Sequence, residues 1–486
     1  MKAKLKCFLC GVLALVLAAG LLACEKKPSG AHEYDHAADF RPEEGELFSD
    51  VPTGSYDEYT FTILNARTGS AASGMDTDAL EGDSLNEALY RRNDNVEERL
   101  NIQIEEERDT PEKVHRIAVA SCLADEDKYA AVWNSASFMA QMAAAGYLVT
   151  DEYLLEVDLT KPWWKPEVMD AAAVDGARFL FFGDLNLSFY DAHSMVGVNM
   201  SLLGNFTGLP DPYILADSGN WTLDVMLSLM DAVDGDVDGN GILTYEDLYG
   251  TALTTADALP LLYGCGVRMS TPGDDGAPTL SCINDENFYG AFITVAEQLY
   301  ANNPYVYDVE KNEADNMQSL DMFLSRHTLF YLTNVGGLSR LRDMEDEFGV
   351  LPMPKGADHQ TKYRSYLSGD ISALGIMVTG RNLLRTGVIL ENLAAESYRP
   401  GGLREKYAES VLPFKYINDE KSRENLLRIL DSGVVDPAAI YNWGGVTDTL
   451  TDLWHTPGMY ASRMNGIRRA AWEDILATRD AMAKYR

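Results

Sequence analysis

Apolar and polar positions along the chain alternate between two periods. Residues 59–65 (YTFTILN) form a β-rich run that ends polar at Asn65, and residues 84–100 then carry Leu85, Ala88, Leu89, Val96 and Leu100 at helical spacing. Ile102 and Ile104 open a second strand, a helix follows over 113–124, and an apolar run at 129–133 ends polar again at Asn134 and Ser135. Strands alternating with helices in this order predict a mainly parallel sheet, whose ligands gather at the carboxyl ends of the strands.

From residue 159 the texture changes, through Lys161-Pro162-Trp163-Trp164. Runs at 178–182 and 194–199 read as strands, 221–233, 288–301 and 320–327 as helices, and 349–355 as a turn of extended chain. Helices over 388–397, 421–431 and 470–485 fill the C-terminal part. So long a chain exceeds one hydrophobic core, so two lobes are expected. Residues 56–157 with 288–345 are assigned to an N-terminal lobe, and 158–287 with 346–486 to a C-terminal lobe. A chain that crosses between lobes more than once makes a hinge with a cleft.

The N-terminus adds an address. Lys2, Lys4 and Lys6 precede an apolar run over 8–23 that stops at Leu21-Leu22-Ala23-Cys24. That order is a secretory signal, too short for a good membrane span. A small residue followed by cysteine resembles a lipobox, with Cys24 as the lipidated residue; an ordinary signal peptide or an uncleaved anchor is the alternative. Residues 24–55, rich in Pro, Gly, Ser, Glu and Asp, read as a flexible tether. The expected location is the extracellular face of a bacterial membrane, held by lipid alone.

Charge narrows the partners. Forty Lys and Arg stand against 75 Asp and Glu, a net charge of −35. Such acidity leaves no surplus of cations to displace counterions from phosphates, so nucleic acid and anionic lipid are excluded as partners. Beyond Cys24 the cysteines are Cys122, Cys265 and Cys282. A hairpin signal at 272–276 brings the last two near each other, as a disulfide or as two buried thiols.

Residues 234–247 (DGDVDGNGILTYED) fit a calcium loop. Asp236, Asp238 and Asn240 fall at ligand positions one, three and five, Gly241 at the sharp turn, and Ile242 at the backbone-carbonyl position. Thr244 and Asp247 take positions nine and twelve, Asp247 standing where a signalling loop has Glu. A single copy behind one good helix suits a structural Ca2+ clip better than a sensor.

Several stretches together resemble one family. Residues 220–227 (NWTLDVML), 236–241 (DVDGNG), 248–250 (LYG), 81–93 (EGDSLNEALYRRN), 162–164 (PWW), 348–355 (FGVLPMPK) and 390–397 (LENLAAES) are similar to segments of the extracellular solute-binding lipoproteins of bacterial ABC importers, the sugar-binding group in particular. The resemblance implies an α/β, two-lobed periplasmic-binding-protein-like fold of type II that hinges shut on a solute. It further implies a monomer that captures an oligosaccharide and delivers it to ABC permease subunits, without catalysis.

Sugars present flat apolar faces edged with hydroxyls, so aromatic platforms beside carboxylate and amide acceptors are the expected ligand residues. Trp443 with Asn442, Tyr190 with Asp191, Trp133 with Asn134, and Asn334 stand on loops or strand ends and are the candidates. Trp163 and Trp164, bracketed by Pro162 and Pro166, read instead as hinge or core. A surface glycoside hydrolase with paired carboxylates is the rival reading, and a calcium-dependent adhesin the third; the chain has no GxSxG and no glycine-rich phosphate loop, and shows neither repeats nor a β-sandwich pattern.

Overall fold

The structure, a computed structural model, describes residue 48 and residues 50–485, apart from 67–72, 78–83, 234, 274–276, 302, 358–359 and 413–416. The signal segment and Cys24 lie outside the described residues. All that follows concerns the compact unit Leu47–Arg486.

The first sheet has the strand order β12-β3-β1-β2. β1 (Tyr59–Ala66) runs parallel to β2 (Ile102–Asp109) and to β3 (Ala131–Ser135), while β12 (Ser372–Ile376) joins β3 antiparallel. Helix Ser84–Leu100 connects β1 to β2 and buries Leu85, Ala88, Leu89, Val96 and Leu100, the stripe set by the 3.6-residue period. Helix Pro111–Leu123 starts on a proline that needs no N–H there, and leads to β3.

The second sheet is mixed, in the order β10-β4-β9-β5-β8. β5 (Tyr249–Leu253) runs parallel to β8 (Val306–Asp308) and to β9 (Thr328–Asn334); β4 (Ser194–Asn199) is antiparallel to β9 and to β10 (Phe348–Leu351). Two small ladders complete the set: hairpin β6 (Ser270–Pro272) with β7 (Pro278–Leu280), and β11 (Ser365–Tyr366) with β13 (Gly433–Val434). Cys265 and Cys282 flank the hairpin as free thiols.

Pairing corrects the lobe assignment over 288–345. β8 and β9 hydrogen-bond to β5 and β4, so this stretch belongs with the second sheet, and β12 returns the later chain to the first. The run 178–182 is not a strand either; Phe181 makes a single bridge to Leu374 at the edge of the first sheet. From there the chain crosses to β4 over 182–193. A second crossing runs from Leu351 in β10 to Ser372 in β12. The two are tied together: Ser365 Oγ donates to Ser194 O at 3.0 Å, and Tyr366 N donates to Ser194 Oγ at 2.8 Å.

Trp163 and Trp164 are both buried, with indole N–H groups donating to the two oxygens of Glu391 at 3.0 and 2.9 Å. Glu391 lies on helix Leu383–Tyr398, which packs on helix Ser84–Leu100. Burial pushes its carboxyl up to about 7, against these hydrogen bonds. Among the described residues no helix is long and apolar enough to cross a membrane.

Candidate functional site

β5 and β9 lie side by side and parallel, so their carboxyl ends open at the same edge of the second sheet. The chain leaves each by starting a helical turn. After β5, Thr254 donates through N and Oγ1 to Asp257 Oδ2, at 2.8 and 2.9 Å, and begins the turn Thr255–Asp257. After β9, Asn334 Oδ1 accepts from Gly337 N at 3.0 Å and begins Val335–Arg340. A third turn-start is adjacent, where Gln318 precedes helix Ser319–Leu324 and its N–H donates to Asp321 Oδ2 at 3.2 Å.

Thr254, Gln318 and Asn334 all line one cavity of about 670 Å³, within the size range of small-molecule sites. Both crossings contribute to it, the first through Ala192 and Ser194 and the second through Tyr366, Ser368 and Asp370. The cavity is therefore a cleft between the second sheet and the strands of chain that lead to the first. Its lining alternates hydroxyl, amide and carboxylate groups with Ala256, Pro260, Leu320 and Met353. Asp257, Asp321 and Asp370 supply the carboxylates and Arg340 the cation. Burial drives the Asp257 carboxyl up to about 6, opposed by its bonds from Thr254 and reinforced by the nearby charge of Glu310. Asp257 and Asp321 each accept through Oδ2 from the start of their own turn.

No family model matches the chain, and no curated protein is similar to it in sequence. Solved structures are similar. An ABC substrate-binding protein from Listeria monocytogenes, in complex with cycloalternan, superposes with a TM-score of 0.52 at 12% identity, covering 89% of this chain and 99% of its own. The sugar-binding protein MalE from Xanthomonas citri gives 0.55 at 12% identity over 87% and 98%. A sugar transporter protein from Rhizobium etli in an open conformation gives 0.56 at 10% identity over 87% and 99%. The chain has the fold of the two-lobed ABC substrate-binding proteins.

Within this substrate-binding fold the sequence candidates separate. Asn334 lines the cleft. Tyr190 and Asp191 sit in the first crossing, next to Ala192, yet turn into a buried polar knot: Tyr190 donates to Asp184 Oδ1 at 2.6 Å, Lys165 Nζ lies 3.1 Å from the same carboxylate, and Asp191 accepts from Tyr407. Trp133 and Asn134 end β3 as expected but are buried; Asn134 donates to Pro111 O at 2.8 Å and accepts from Ser135 N at 2.8 Å, holding the helix start beside it. Trp443 is 1% exposed and donates to Thr478 Oγ1 at 3.0 Å on the C-terminal helix Tyr460–Tyr485. Asn442 takes a left-handed conformation (φ 46°) and bonds Asp448 and Thr447 N. Trp133, Tyr190 and Trp443 are thus enclosed by the protein itself, as large aromatics are most easily stabilised by burial. What sequence reasoning missed is the carboxylate ring, although Thr254-x-x-Asp257 and Gln318-x-x-Asp321 carry the spacing of helix-start boxes.

The calcium-type loop lies at the other end of β5, between helix Leu223–Val233 and Tyr249. Asp236 accepts from Gly239 N, Asn240 N and Gly241 N at 2.7, 3.2 and 2.6 Å, which holds its carboxyl below the usual range, and Gly241 has the positive φ (78°) its turn demands. Asp247, buried, accepts from Val237 N and Thr244 N at 2.8 and 2.7 Å, while reciprocal bonds between Gly235 and Leu248 close the neck. Carboxylate oxygens of Asp236, Asp238 and Asp247 come within 4.8 Å of one another. Hard oxygen donors converging at this spacing fit calcium. Asn240, Ile242 and Thr244, the other positions of the calcium pattern, lie exposed on the same loop. The string His32-Glu33-Tyr34-Asp35-His36 matches the letters of a zinc-peptidase motif and lies outside the described residues.

Proposed function

We propose that this chain is the solute-binding component of an ABC-type importer, capturing an oligosaccharide in the cleft beyond β5 and β9. The cleft itself carries the reading. It stands at the carboxyl edge of a parallel strand pair, takes in both inter-sheet crossings, and offers hydroxyls, amides and carboxylates to a polyhydroxylated ligand. Sugar-binding and cycloalternan-binding proteins among its structural neighbours point the same way. Closure follows from simple linkage, since a ligand touching both the second sheet and the crossings stabilises the shut state by its extra contacts there. Cys24 would anchor the protein by lipid to the outer face of the membrane, where ABC permease subunits receive the solute, and the protein would act as a monomer. Calcium on Asp236, Asp238, Asn240, Ile242, Thr244 and Asp247 would brace the loop, with no part in holding the solute.

The test is a calorimetric screen of linear and cyclic oligosaccharides, each mixture then run on a column to look for cleavage. Saturable binding of an intact sugar, lost in Asp370→Ala with Asp321→Ala, is the expected result. Turnover of the sugar would make the protein a hydrolase, and silence across the panel would end the sugar assignment.

A further inference from the structure

A second group of ligand atoms converges away from the calcium-type loop. We propose that Asp308, Glu310 and His455 form a binding site for a divalent transition-metal ion of the zinc class. Atoms of the three side chains lie within 4.8 Å of one another. His455 Nε2 is 2.8 Å from Asp308 Oδ2, although the two residues are 147 positions apart in the chain. An imidazole nitrogen beside two carboxylates suits zinc, which takes mixed N and O donors, and disfavours calcium, which takes oxygen only.

Groups outside the triad orient it. Asp308 closes β8, and its Oδ1 accepts from Lys311 N at 3.1 Å, which turns Oδ2 toward the histidine. Glu310 Oε1 accepts from Thr255 N and Oγ1 at 3.1 and 2.8 Å. The imidazole of His455 rests edge-on to Tyr300, centroids 5.8 Å apart. Such outer contacts fix donor direction in metal sites and restrict rotamer loss on binding. A cation already attends the pocket: Lys311 Nζ lies 3.0 Å from Asp308 Oδ2 and donates to Tyr300 O at 2.8 Å. This exposed ammonium group stands in for the metal and must swing out as the ion enters, so lysine and zinc compete for one carboxylate oxygen.

The place of the site gives it a consequence. Glu310 grips Thr255, the residue between Thr254 and Ala256, both of which line the cleft. His455 comes from the C-terminal helical region, so the ion would join that region to the wall of the cleft.

Protein stripped of metals is titrated with zinc chloride by calorimetry and, separately, with cobalt chloride followed by visible absorption. One equivalent of zinc should bind the wild type, and imidazole-ligated cobalt should absorb in the visible. His455→Ala and Glu310→Gln should each weaken zinc at least tenfold; glutamine keeps an oxygen for Thr255, which makes it the folding-safe variant should the histidine variant misfold. Lys311→Met should tighten zinc several-fold, a gain that a merely structural ion pair would not produce. Asp236→Asn with Asp247→Asn should leave zinc binding intact. No zinc uptake by the wild type, or equal uptake in Glu310→Gln, overturns the proposal.

Discussion

The indole of Trp443 lies parallel to the ring of Tyr441, with centroids 5.1 Å apart and 3° between the planes. A sugar platform must present one ring face to solvent, yet this indole is buried, enclosed by Tyr441 and the C-terminal helix. Trp443→Ala should therefore cost about 3–5 kcal/mol of stability by denaturant unfolding, typical of a buried tryptophan, and leave solute affinity unchanged.

Asp257 should tie solute affinity to pH. Its carboxyl sits at about 6 because burial favours the protonated form, so that form dominates in the cleft below pH 6. A sugar hydroxyl donating to the ionised carboxylate would bind more tightly as pH rises from 5 to 7. Calorimetry at the two values checks this, and Asp257→Asn should flatten the difference.

Glu391 should make the fold lose stability as pH rises. Its folded value of about 7 exceeds the ordinary glutamate value of 4.5, so between these values the folded state holds a proton that the unfolded chain has released. The contribution is complete below pH 4.5 and disappears as pH climbs through 7. Melting temperatures of wild type and Glu391→Gln should diverge between pH 5 and 8, the wild type falling relative to the variant.

Glycine at 369 is required by space. A Cβ there would stand 2.4 Å from the carbonyl oxygen of Ala439, which is backbone and cannot step aside. Gly369→Ala should destabilise by about 1–3 kcal/mol and weaken solute binding, because Ser368 and Asp370 on either side line the cleft. Gly290→Ala, with nothing within 4 Å of the added carbon, should be neutral or slightly stabilising in its helix.

Calcium removal should lower the melting temperature without touching the cleft. At millimolar calcium and a dissociation constant near 10⁻⁴ M, mass action supplies about 1.4 kcal/mol. A chelator should remove that increment from wild type and not from Asp236→Asn, while affinity for the solute, held at the far end of β5, stays constant.

Local periodicity made the helices legible, since Leu85, Ala88, Leu89, Val96 and Leu100 fall on one face and are all buried. The same apolar density misled at 178–182, where Phe179 to Phe182 are buried in a crossing that needs no ladder. Lobe membership was illegible for 288–345, because partner choice by β8 and β9 is made across long sequence separations that no local pattern records. Asn334, singled out by its place after an apolar run, stands on the cleft wall, whereas Trp133 and Trp443 carry a chemistry that the core uses as readily as a ligand does. Asp257 and Asp321 were hidden by their second role as turn-starters.

All seven tryptophans of the chain lie outside the lining of the cleft. No indole would thus touch a sugar in the cleft, and any change in natural fluorescence on binding would come from tryptophans set back from it, among them Trp221 against Phe330 of β9 and Trp163 and Trp164 against Glu391. A tryptophan placed at Leu320 would give the cleft its own optical signal, so that the arrival of ligand and the movement of the lobes could be timed as separate events in one molecule.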